Sequence, residues 1–99
     1  MRSLFAALIL WAAVVVPACA GPYEDANAAL TRADFAAALA IYRGLAEKGE
    51  AEAQHNLGLM YDKGQGVRHD RNEAMKWIQR AAAQGYQDAI LFLADPHDH

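Results

Sequence analysis

The chain has 99 residues, 9 Lys and Arg against 12 Asp and Glu for a net charge of −3, and a single cysteine. That length allows one domain, the mild acidity argues against nucleic acid as a partner, and one cysteine cannot form an internal disulfide. Ser3 is the lone serine and Cys19 the lone cysteine, both near the start, so the rest of the chain lacks the two commonest nucleophiles and no catalytic constellation emerges.

Residues 1–20 read as a secretory signal peptide. Arg2 supplies the positive start, Leu4 to Val16 is uncharged, Pro17 breaks the run, and Ala18-Cys19-Ala20 supplies small residues for cleavage after Ala20. The expected product, Gly21 to His99, is periplasmic or secreted. Lipid attachment at Cys19 is the alternative, although Pro17 fits a lipoprotein box poorly.

The first helix is expected over Tyr23–Arg32, with Ala26, Ala29 and Leu30 at helical spacing. Asp34 caps a second helix to about Lys48, with Phe35, Ala38, Leu39, Ile41, Tyr42, Leu45 and Ala46 apolar; Gly49 ends it. A third helix runs from about Glu50 to Asp62 and turns Ala53, Leu57, Met60 and Tyr61 to one side, with Gly58 at the edge where a neighbour can approach closely. Lys63 to Val67 is a tight loop. Asp70 opens the fourth helix as the start of a capping box with Glu73; Ala74, Trp77, Ile78, Ala81 and Ala82 form its inner stripe and Gly85 closes it. A fifth helix begins near Tyr86, Pro96 stops it, and residues 96–99 form a polar tail.

These elements repeat. A shift of 36 residues lays Asp34 on Asp70, Ala38 on Ala74, Ala46 on Ala82, Gly49 on Gly85, Ala53 on Ala89 and Leu57 on Leu93. A period of that size is the mark of stacked helix pairs. The fold class is therefore all-α, a short solenoid of antiparallel helix pairs over residues 21–95.

Ala53, Leu57, Gly58, Tyr61, Gly64, Gly66, Val67, Asp70, Ala74, Trp77, Ala81, Ala82, Gly85 and Ala89 stand in the order and spacing of a Sel-one-like repeat. The chain resembles that family, a relative of the tetratricopeptide repeat, with one complete repeat flanked by partial ones. The resemblance implies a right-handed α-superhelix and a non-catalytic adaptor that binds a protein or peptide. It also implies that the first helix of each pair lines a groove, which places Glu52, His55, Leu59 and Asp62, and one period later Asp88 and Leu91, on the partner-binding face. Some secreted family members bind β-lactams through a cysteine-rich form that this chain lacks, so that activity is the remote alternative.

Other patterns have plainer readings. Gly64-x-Gly66 is a turn, since it lacks the Gly-Lys-Ser/Thr ending of a phosphate loop. Tyr61 and Trp77 are core. His97-x-His99 with Asp95 and Asp98 is a tail without a supporting shell, so no metal or cofactor is expected. Ile90, Phe92 and Leu93 are expected to lie uncovered on the last helix, a surface for dimerisation or end-on docking to a larger protein.

Overall fold

The computed structural model describes residues 21–95. The signal peptide, the Cys19 anchor and the 96–99 tail lie outside the described residues. Five helices follow one another: α1 (Pro22–Thr31), α2 (Phe35–Glu47), α3 (Ala51–Lys63), α4 (Arg71–Ala83) and α5 (Gln87–Ala94). No strand occurs among the described residues. Each helix packs chiefly on its neighbours in sequence, most extensively α3 on α4, which is the organisation of a helical solenoid.

The 36-residue repeat reappears as repeated local chemistry. At the end of α2 the Gly49 amide donates to Ala46 O at 2.9 Å and the Glu50 amide to Leu45 O at 3.2 Å; at the end of α4 Gly85 donates to Ala82 O at 2.9 Å and Tyr86 to Ala81 O at 3.2 Å. This paired pattern is a Schellman motif, which needs a left-handed residue at its hinge. Gly49 and Gly85 supply it with φ of 100° and 90°. The end of α1 makes the same two bonds, from Ala33 to Leu30 O and from Asp34 to Ala29 O. There the hinge is Ala33 at φ 62°, a conformation that costs an L-residue about 1–2 kcal/mol.

Helix starts repeat as well. Asp34 Oδ1 accepts from the Ala37 amide at 3.2 Å and Asp70 Oδ1 from the Glu73 amide at 3.1 Å. The reciprocal half of the expected capping box is replaced. The Asp70 amide already donates to Tyr61 O at 3.0 Å, and the Glu73 carboxylate pairs with Lys76 at 3.1 Å. The cap thereby ties α4 back to the end of α3.

Small residues set the spacing of the helices. Ala26, Ala29, Ala38, Ala46, Ala53, Ala74, Ala81 and Ala89 are all buried, while Tyr42, Leu57, Tyr61, Trp77 and Ile78 fill the space between them. Gly58 marks the closest approach: a Cβ there would meet Ile78 Cγ1 at 2.5 Å and Ala74 O at 2.9 Å. Tyr61 is held further by Arg43, whose Nη2 donates to its hydroxyl at 2.8 Å.

Candidate interaction surface

The helices form two layers. α1, α3 and α5 lie side by side: Tyr23 of α1 donates to Glu50 Oε1 at 2.8 Å at the start of α3, and His55 of α3 lies 5.4 Å from the Tyr86 ring and 6.3 Å from the Phe92 ring of α5. α2 and α4 are the second helices of their pairs and form the other layer.

An amide relay, buried at Gln54 and exposed at Gln84, fastens the layers where the repeats join. Gln84 Nε2 donates to Gly49 O and to Gln54 Oε1, each at 2.9 Å, and Gln54 Nε2 donates to Ala46 O at 3.2 Å. Gln54 is only 5% exposed. Nothing in the sequence flags the relay, because a glutamine on a helix reads as a surface residue.

The residues expected on the partner-binding face divide into three groups. Glu52 and Asp88 are exposed, and Leu91 is 57% exposed. Leu59 is half-buried against the Ile78, Ala81 and Ala89 cluster, and Asp62 pairs with Arg71 at 3.4 Å, tying the end of α3 to the start of α4. His55 is a correction: it is 7% exposed rather than open. Reading α3 within its own pair leaves that flank free, but α5 packs against it and covers the imidazole with Tyr86 and Phe92. One period later Leu91 occupies the position of His55, and no further helix covers it among the described residues.

The last helix is also corrected in part. Ile90 is exposed, but Phe92 and Leu93 are half-buried and pack on the second core cluster. Phe92 turns back onto His55 because Ala89, at its i−3 position, is anchored at 0% exposure. The most exposed large apolar side chain of α5 is therefore Leu91.

Three tyrosines outside the expected binding face gather around Glu52. Tyr23 and Tyr42 lie with ring centroids 6.4 Å apart. Burial raises the Tyr23 hydroxyl well above its ordinary pKa, followed by its bond to Glu50. Burial and then the charge of Glu52 raise Tyr42; burial, Glu52 and Asp88 raise Tyr86. Burial pushes the His55 imidazole below its ordinary pKa, with Asp88 opposing. These phenols stay protonated donors and His55 stays neutral at pH 7. No enclosed pocket and no group of three metal-ligating side chains occurs among the described residues. None of their helices is long and apolar enough to cross a membrane.

Residues 51–86 match the family model of the Sel1 repeat. The chain carries a Sel1 repeat. The match spans α3, the connecting loop, α4 and the Gly85 turn, and stops where α5 begins. Sel1 repeats typically mediate protein–protein contacts and are generally non-catalytic. An uncharacterized protein of Neisseria meningitidis serogroup B is 48% identical over 65 residues, covering 66% of this chain and 14% of that protein. This chain thus corresponds to a small part of that relative's length. No solved structure gives a significant match.

Proposed function

We propose that this Sel1-repeat chain is a non-catalytic adaptor whose α1/α3/α5 layer binds a segment of a partner protein. The observation that carries the reading is the open face of that layer, where Glu52, Asp88 and Leu91 are exposed while the same helices are anchored from behind by Ala53, Leu57 and Ala89. A rigid helix face with polar and apolar groups suits a peptide or helix laid across it. We place the adaptor in a bacterial cell envelope, on the strength of the uncharged run from Leu4 to Val16 and the Ala18-Cys19-Ala20 site. Cleavage after Ala20 frees it, and acylation of Cys19 would anchor it. Mass spectrometry of the N-terminus tests this: Gly21 first supports a free protein, acylated Cys19 an anchored one, and an intact Met1 refutes export by cleavage.

A second reading rests on Ile90 and Leu91. Both are exposed on α5, which suits end-on docking to a second copy or to a larger repeat protein. Affinity capture from expressing cells separates the two. Leu91→Asp and Glu52→Gln both reduce recovery if the partner lies along the layer. Loss with Leu91→Asp alone supports the end-on reading. Retention by both variants, with loss on Gln79→Asp of α4, would refute the proposal.

A further inference from the structure

The charges of the chain are sorted by layer. On the α1/α3/α5 side stand Glu24, Asp25, Glu50, Glu52, Asp62 and Asp88, of which Asp62 pairs across to Arg71, and the sole base of those helices is Lys63, at the far end of α3. On α2 and α4 stand four bases, Arg43, Arg71, Lys76 and Arg80, against two acids, Glu47 and Glu73, the second of which is paired with Lys76. Folding does not require this sorting, since exposed ion pairs contribute little to stability in either arrangement. The ion pairs that do form, Asp34 with Arg32, Asp62 with Arg71 and Glu73 with Lys76, leave Glu52 and Asp88 without an ion-pair partner among the described residues.

These free carboxylates are set among aromatic rings. The charge of Glu52 acts on Tyr23, Tyr42 and Tyr86, and that of Asp88 on Tyr86 and His55. Tyr42 is buried, but Tyr23 and Tyr86 are half-exposed, and such ring faces attract cations and accept the methylene stems of lysine and arginine. An independent sign comes from His55. Its ring lies beside Tyr86, it is 7% exposed, and Nδ1 makes no hydrogen bond among the described residues. Trp77 Nε1 on α4 is likewise buried without a partner, under the Arg80 guanidinium; at His55 the unsatisfied nitrogen belongs to a ring beside Tyr86 that feels the Asp88 charge, so that it adjoins the acidic layer. Its ring neighbours are Tyr86 and Phe92 and the charge acting on it is that of Asp88, so no cation faces it among the described residues.

We propose that the face formed by Tyr23, Glu50, Glu52, Tyr86 and Asp88 binds a lysine- or arginine-bearing segment of a partner protein. This deepens the adaptor reading and rests on it. Its carboxylates pair with the basic heads, its phenol rings take the stems, and the same field repels phosphate-bearing partners.

The test is fluorescence anisotropy on the full chain, with a labelled dodecapeptide of alternating lysine and alanine and its glutamate–alanine counterpart. The basic peptide binds and the acidic one does not. Binding falls by about ten-fold or more as salt rises from 0.1 M to 1 M, because the screening length shortens from about 10 Å to about 3 Å. The Glu52→Gln/Asp88→Asn pair weakens binding about five- to ten-fold. The Glu47→Gln/Glu73→Gln pair, with the same charge change on the other layer, alters it less than about two-fold. Helical circular dichroism confirms that both double variants fold. Equal weakening by the two pairs, or no binding of the basic peptide, overturns the proposal. Preference for the acidic peptide that Leu91→Asp abolishes would overturn the charge assignment while leaving the adaptor reading intact. Self-association dissolved equally by Glu52→Gln/Asp88→Asn and by Arg80→Gln would make a second copy the occupant, and that too overturns it.

Discussion

The chain has two glycines inside helices, and replacing each with alanine should move stability in opposite directions. At Gly44 of α2 an added Cβ meets nothing within 4 Å. Alanine there gains helix propensity and stabilises by about 0.5–1 kcal/mol. At Gly58 of α3 the same methyl lies 2.5 Å from Ile78 Cγ1 and 2.9 Å from Ala74 O. Ordinary carbon contacts sit at about 3.5–4.0 Å, so the shortfall is about 1 Å. Ile78 is 0% exposed and has nowhere to swing, and Ala74 O is backbone. The helices α3 and α4 must separate, at an overpacking cost of about 1–3 kcal/mol that outweighs the propensity gain of about 1 kcal/mol. The two variants should therefore differ by about 2 kcal/mol. At about 4–8 °C per kcal/mol for a domain of this size, that is roughly 10 °C in Tm. Thermal melts followed by circular dichroism read it directly. A Gly58→Ala variant as stable as Gly44→Ala would refute the close approach of α3 and α4 on which the two-layer arrangement depends.

Three further outcomes follow from particular contacts. Ala33→Gly should stabilise by about 1 kcal/mol, because Ala33 holds φ 62° at the α1 turn; an unchanged or lower melting temperature would mean the turn is not left-handed. Asp70→Ala should cost about 1 kcal/mol through loss of the Oδ1 bond to the Glu73 amide, read as a lower midpoint in urea at unchanged slope. Burial lowers the His55 pKa, so the folded chain takes up that proton less readily than the unfolded one. The contribution is complete above the unfolded value of about 6.5 and is lost as pH falls from there through the folded pKa. The drop in Tm between pH 7 and pH 5 should accordingly shrink in His55→Leu, and an equal drop in both proteins would contradict the burial of this side chain.

The repeat made most of the fold legible. Asp34 and Asp70, and Gly49 and Gly85, recur at one spacing and build the same caps and turns, because such motifs depend on residues within one or two helical turns. The core stripes were legible for the same reason: Leu57, Tyr61 and Trp77 are buried where helical periodicity places them. What the sequence hid depends on contacts between successive repeats. The burial of His55 is not legible locally because its cover, Tyr86 and Phe92, lies 31 and 37 positions further on, where no local pattern reaches. The Gln54–Gln84 relay and the gathering of Tyr23 and Tyr86 around Glu52 are also contacts between pairs. Tyr86 carried one clue, since it falls on Glu50 under the 36-residue shift and so marks the same corner of the next pair.

A partner lying along the α1/α3/α5 layer must pass within reach of Glu52 and leave Gln79 on the other layer untouched. A photoreactive amino acid placed at Glu52 of α3 in one strain, and at Gln79 of α4 in another, tests it in living cells; both positions are exposed. A discrete protein adduct is expected from position 52 and none from position 79. An adduct from position 79 alone, or none from either, would contradict it.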